Sequence, residues 1–215
     1  GIGKMLAERL MKEHNCTVIG VARSEKKMLN FVEELGDYAK LFSYKLFDVS
    51  SYDNWQEFHD WLIENNIKPD VLINNAGVLP RFDRLMNYTK EEIDESINID
   101  FYSAAYSSKI MLPLLMQSET PAIINVASSA ALMALGGTSM YSASKAAVKG
   151  LTEAMREELR GEAYIGLVCP GFTKTDIFRN QGETNGMDLI NMVSTPCHKA
   201  VNKILKGILR KKSYI

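Results

Sequence analysis

The chain has 215 residues, 46% of them hydrophobic and 24% charged, and a formal net charge of -1. That is ordinary globular composition, and the even charge excludes the basic face or arm of a nucleic-acid-binding protein. No apolar run reaches the roughly 18 residues that a transmembrane helix needs.

Cys16, Cys169 and Cys197 are widely spaced and form no Cys-x-x-Cys pair, and His14, His59 and His198 are equally scattered. We therefore expect reduced thiols, a cytoplasmic protein and no metal site. Arg210-Lys211-Lys212 reads as a solvated helix end. No secretory leader pattern opens the chain. Gly1-Ile2-Gly3 runs directly into a helical pattern, with Met5, Leu6, Leu10 and Met11 at helical spacing, and Ser213-Tyr214-Ile215 looks like the beginning of a strand. Both ends lead us to expect a chain lacking a first strand and a carboxy-terminal end.

Helices and strands then alternate. Thr17 to Ala22 is a short apolar strand, and Ser24 can cap a helix carrying Met28, Phe31, Val32 and Leu35. Lys40 to Phe47 reads as a second strand, Asp53 to Asn65 as a helix, and Asp70 to Asn74 as a third strand. Thr89 and Glu92 form a capping box that opens a long helix reaching Met116. Pro121 to Val126 is a strand, Met140 to Arg160 a helix, and Tyr164 to Cys169 a strand. Thr195-Pro196 starts a last helix, with the proline at its first position, ending near Leu209. This alternation predicts one α/β domain over residues 1–215, a Rossmann-like doubly wound parallel sheet with helices on both faces. Ligands of such sheets bind outside the carboxyl ends of the strands.

The residues with chemistry to offer fall at those ends. Tyr141 and Lys145 stand four apart on a helix and share a face. An ammonium beside a phenol favours the phenolate and lowers its pKa, so such a tyrosine could exchange a proton with an alcohol or carbonyl oxygen. Ser128 and Ser129 follow a strand and place hydroxyls at the same edge; position alone does not choose between them. Asn74-Asn75-Ala76-Gly77, Asp48 and Pro170-Gly171 also follow strands. They suit, in turn, backbone pinning, an adenine amino group, and close approach to a flat ring. Gly1 and Gly3 stand at a helix start, where amides and dipole favour phosphate.

In this order and spacing, Gly1-Ile2-Gly3, Asp48, Asn74 to Gly77, Asn98, Ser128, Tyr141-x-x-x-Lys145, Pro170-Gly171 and Thr175 resemble the short-chain dehydrogenase/reductase family in its single-domain form. The resemblance implies an NAD(P)-dependent oxidoreductase that moves a hydride between a nicotinamide and a carbonyl or alcohol. By it, Tyr141 would be the general acid/base and Lys145 would bind the nicotinamide ribose and depress the tyrosine pKa. Ser128 would hold the substrate oxygen, the family spacing selecting it over Ser129, and Asn98 would hold a relay water. Gly1, Ile2 and Gly3 would touch pyrophosphate. Asp48 and Val49 would lie by the adenine, Asn74, Asn75, Ala76 and Gly77 by the ribose region, and Pro170, Gly171, Thr173 and Thr175 by the nicotinamide.

Where NAD enzymes of this kind carry an acidic residue, this chain has Ala22, followed by Arg23 and Ser24. That replacement predicts a preference for NADP(H) over NAD(H). Phe172, Ile177, Phe178, Met187, Leu189, Ile190 and Met192 imply an apolar lid and so an apolar carbonyl or alcohol substrate. The helices 89–116 and 140–160 resemble those that pair between family subunits. Tyr102, Tyr106, Ile110 and Met111 then predict a homodimer or homotetramer. Two other readings fit part of the pattern: a catalytically silent NADP-binding sensor, and a relative of the nucleotide-sugar epimerases and dehydratases, which share Tyr-x-x-x-Lys. The intact catalytic set argues against the first. The Asn-Asn-Ala-Gly run argues against the second.

Overall fold

A computed structural model describes residues 1–181 and 192–215. Its helices and strands alternate as α1 (Ile2–His14), β1 (Val18–Ala22), α2 (Glu25–Leu35), β2 (Phe42–Leu46), α3 (Tyr52–Glu64), β3 (Val71–Asn74), α4 (Lys90–Ile97), α5 (Ser103–Leu115), β4 (Ala122–Val126), α6 (Ser139–Glu158) and β5 (Tyr164–Val168). A short pair, β6 (Thr173–Lys174) and β7 (Thr195–Pro196), precedes the last helix, α7 (Cys197–Leu209).

All the strand pairings are parallel. β1 pairs with β2, from Val18↔Phe42 to Ala22↔Leu46. β3, β4 and β5 form a second ladder with β4 in its centre. Every residue of β4 is buried, as expected of a parallel strand covered on both faces. Successive β4 side chains alternate between two cores. Ile123 packs with Trp55, Phe58 and Leu62 of α3, Met111 and Leu115 of α5, and Met155 of α6. Ile124 and Val126 pack with Leu6 of α1 and Val201, Ile204 and Leu205 of α7. The helices therefore lie on both faces of the sheet, which is the doubly wound arrangement.

Local sequence explains most of the boundaries. The Ser24 hydroxyl caps α2 by accepting the Lys27 N–H at 3.4 Å, and Asn15 closes α1 in the left-handed conformation. The capping box forms as predicted: Glu92 N–H donates to Thr89 Oγ1 at 3.2 Å, and Thr89 N–H to Glu92 Oε2 at 2.9 Å.

Four details differ from the sequence reading. The second strand begins at Phe42, because Gly36–Leu41 is wound into tight 3-10 turns. The long helix is interrupted by a π turn, Asn98–Tyr102, between α4 and α5. Pro196 is the residue before α7 rather than its first residue, because Thr195 and Pro196 are drawn into pairing with Thr173 and Lys174. Met111 is 2% exposed and belongs to the core, so the outer surface of α5 is less apolar than its sequence implied. Ser213 to Ile215 does run beside β5, with Ile215 N–H donating to Leu167 O at 2.9 Å. Among the described residues, no helix is long and apolar enough to cross a membrane.

Candidate active site

A cleft of about 310 Å³ opens at the carboxyl ends of β3, β4 and β5. Gly1, Ile2, Asn75, Gly77, Ser128, Tyr141, Lys145, Pro170, Gly171, Thr173 and Thr175 line it. Strand order brings together residues that are far apart in the chain.

Tyr141 and Lys145 lie on successive turns of α6, with Lys145 Nζ 5.6 Å from the centre of the phenol ring. Lys145 is 3% exposed. A buried ammonium needs a counter-ion, and Asp100 Oδ1 supplies it at 3.3 Å. The Val126 carbonyl, at the end of β4, adds a contact at 3.5 Å. Asp100 also accepts the Val78 N–H at 2.8 Å. Burial raises the Asp100 carboxyl above the ordinary carboxylate range, while Lys145 and the Val78 and Ser144 hydrogen bonds pull it back.

The phenol corrects one sequence expectation. Burial raises the Tyr141 pKa, and this outweighs the downward pull of Lys145 and of a hydrogen bond with Ser128. Asp100 pushes the same way as burial. The lysine acts in the expected direction, but the net shift is upward, and the phenol rests in its neutral form. Ser128 and Ser129 both line the cleft, and of the two it is the Ser128 side chain that bears on the phenol. Ser128 Oγ accepts the Ala130 N–H at 3.1 Å. Ser129 instead uses its backbone N–H to bind Pro170 O at 2.8 Å, joining the loops after β4 and β5.

Two glycines are required by close approach. A Cβ on Gly77 would stand 2.9 Å from both Asp100 Oδ1 and Lys145 Nζ. A Cβ on Gly3 would meet the Asn75 side chain, its amide nitrogen at 2.5 Å. Asn75 thus fills the space that Gly3 leaves, and this contact joins the start of α1 to the loop after β3. Gly1 and Ile2 bring the start of α1 to the cleft, where its first amides suit an anionic group such as a pyrophosphate.

Other predicted residues lie elsewhere. The Asn74 side chain turns into the core: its Nδ2 donates to Asn125 Oδ1 at 2.9 Å, and its Oδ1 accepts from Ser107 at 2.7 Å. It is not among the cleft-lining residues. Asn98 is exposed, at the start of the π turn, and is not among the cleft-lining residues. Ala76 is exposed between its lining neighbours. Arg23, Ser24, Asp48 and Val49 gather at the ends of β1 and β2. There Arg23 approaches Asp48 Oδ2 at 3.8 Å, and Phe47 N–H bonds Ala22 O at 3.1 Å. Partial burial pushes the Asp48 carboxyl up, but hydrogen bonds from Ser50 N–H and Oγ and the Arg23 charge hold it below its ordinary value. The Val49 carbonyl is occupied by Trp55 Nε1–H at 2.9 Å. In the apolar wall, Phe172, Ile177 and Phe178 line the cleft, and Met192 is 76% exposed. Met187, Leu189 and Ile190 lie outside the described residues.

Sequence reasoning missed Asp100, Leu79, Phe82 and Leu135. The last three line the cleft from loops whose placement no periodicity reveals. Asp100 carried a signal, an acidic residue inside the run Ile97 to Tyr102.

Residues 1–186 match the short chain dehydrogenase family. The chain belongs to that family. This short-chain dehydrogenase is 33% identical, over 82% of its length and 71% of the relative's, to the 3-oxoacyl-acyl-carrier-protein reductase of Vibrio harveyi. Its fold superposes with a TM-score of 0.86 on a short-chain dehydrogenase from Sphingobium yanoikuyae in complex with NADPH, at 25% identity, covering 100% of this chain and 82% of that one. A short-chain dehydrogenase/reductase from Burkholderia phymatum in complex with NAD has the same fold, with a TM-score of 0.87 at 23% identity, covering 100% of this chain and 84% of that one. Family and fold together make the chain an NAD(P)-dependent oxidoreductase acting on CH–OH or C=O groups.

Proposed function

We propose that this short-chain dehydrogenase reduces an apolar carbonyl compound with NADPH, using Tyr141 as the proton donor. The carrying observation is the convergence of Ser128, Tyr141 and Lys145 on one cleft, with Gly1 and Ile2 at the start of α1 also lining it. A bound nicotinamide would supply the hydride. Ser128 and Tyr141 would hold the substrate oxygen, and Tyr141 would give it a proton. A neutral resting phenol is the form an acid needs. Lys145 would bind the ribose. Asn98 would hold a relay water, from a position outside the cleft-lining residues.

The preference for NADPH rests on Arg23, which is 61% exposed with its paired carboxylate at 3.8 Å, and so open to a phosphate. The apolar class of substrate rests on Leu79, Phe82, Leu135, Phe172, Ile177 and Phe178 in the cleft wall, and on the 3-oxoacyl chemistry in the name of the Vibrio harveyi relative. We also propose a homodimer or homotetramer. Tyr102, 38% exposed at the start of α5, supports it, and sedimentation at micromolar concentration tests it.

The deciding experiment measures turnover with NADPH and NADH across short ketones, aromatic ketones and 3-oxoacyl thioesters. Activity on the apolar members with NADPH is expected. Binding of NADPH without turnover of any carbonyl or alcohol would overturn the proposal in favour of a sensor.

A further inference from the structure

Asp100 is 1% exposed, on the π turn between Ile99 and Phe101. Asn98 is exposed, and Asp100, two residues on, lies inside. Its carboxylate then joins three separate parts of the fold. Oδ1 accepts the Val78 N–H at 2.8 Å, from the loop after β3, and faces Lys145 Nζ at 3.3 Å, on α6. Oδ2 lies 3.0 Å from Ser144 Oγ, whose proton is shared with the Tyr141 carbonyl at 2.9 Å. A lysine ammonium has three protons to donate. Asp100 and the Val126 carbonyl account for two of them, and the remaining one is available to a hydroxyl in the cleft that Lys145 lines.

Building on the reading of Tyr141 as acid, we propose that Asp100 is a positioning residue of the reaction: it holds the Lys145 ammonium against the Gly77–Val78 backbone and, 3.3 Å from that ammonium, takes up part of the field that Lys145 exerts on the Tyr141 ring 5.6 Å away. The lysine favours the phenolate and the aspartate opposes it, one charge on each side of the balance. α4, α5, β4, β5, the π turn and the tight turn Ser129–Ala131 surround α6. The charged groups from these elements that bear on Tyr141 are Lys145 and Asp100, and Ser128 adds a hydrogen bond. Lys145 is in turn the charged group that bears on Asp100.

Asp100→Asn separates charge from shape. Its amide oxygen can keep the Val78 N–H and Lys145 contacts, and its NH2 can donate to Ser144 Oγ. With the opposing charge gone, Lys145 acts on the phenol alone. The pH limb of alcohol oxidation should then move toward acid, with the substrate KM within a few-fold. Asp100→Glu keeps the charge and displaces it, so its limb should stay in place while kcat falls. Asp100→Ser leaves room for a water and should repeat the acid shift if Asp100→Asn does not fold. Limbs that stay at the wild-type pH in the Asn and Ser variants would overturn the proposal. So would failure of both to fold, which would mark the carboxylate as a structural counter-ion. Tyr141→Phe is measured alongside: wild-type turnover there defeats the acid–base reading itself, whereas an inactive Tyr141→Phe with an unmoved Asp100→Asn limb defeats only the role of Asp100.

Discussion

Lys145 Nζ lies 5.6 Å from the centre of the Tyr141 ring, one turn of α6 away. The same ammonium is 3.3 Å from Asp100. Its field is therefore divided between a phenol it would ionise and a carboxylate it must neutralise.

Tyr141→Phe removes the phenol oxygen and little else. Turnover should fall by roughly 10²–10⁴-fold, with the Kd for NADPH within a few-fold of wild type. Single-turnover kinetics and isothermal titration check the two halves. Undiminished turnover would refute the role given to this tyrosine.

Lys145→Ala should behave differently, because it leaves Asp100 buried without its counter-ion. Losing one member of a buried pair costs about 3–5 kcal/mol, to be seen in urea unfolding. NADPH binding should weaken as well. Unchanged cofactor affinity would show that the ammonium does not reach the ribose.

Gly77→Ala places a methyl 2.9 Å from both Asp100 Oδ1 and Lys145 Nζ. Overpacking of this kind costs about 1–3 kcal/mol. The variant should lose stability and turnover together, since the displaced atoms belong to the site. Wild-type kinetics and unfolding midpoint would mean that the loop shifts at no cost.

The pH dependence follows from the raised Tyr141 pKa. The fold favours the neutral phenol, so its contribution to stability is full below the unfolded value near 10 and is lost as pH rises through the folded value. Carbonyl reduction should stay level through neutrality and decline only above about pH 10, while alcohol oxidation should still be rising there. A reduction rate that falls between pH 7 and 8 would contradict the burial argument.

Arg23→Ala tests cofactor choice. One charge-assisted hydrogen bond to a phosphate contributes about 1.5–3 kcal/mol, so the preference for NADPH should drop roughly ten- to a hundredfold in kcat/KM. Equal use of both cofactors by the wild type, or an unchanged preference in the variant, would show that Arg23 does not meet the phosphate.

Apolar periodicity, capping residues and alternation of elements were enough to place the helices and strands and to expect a parallel sheet covered on both faces. These are local signals, set by side-chain spacing and by backbone groups within a few residues. The Tyr141–Lys145 pair was legible for the same reason, because a four-residue step on a helix is a distance. Packing decided the rest. Thr195 and Pro196 became a strand because Thr173 and Lys174 lay beside them. Asn74 turned from the cleft to the core because Asn125 and Ser107 offered it partners there. The direction of the Tyr141 shift needed the depth of burial, which no spacing contains. Asp100 came to face Val78, Ser144 and Lys145 only through the packing of the segment between α4 and α5 against α6 and the loop after β3. Helical spacing fixes neighbours along one element; which charges meet between elements is settled by how those elements pack.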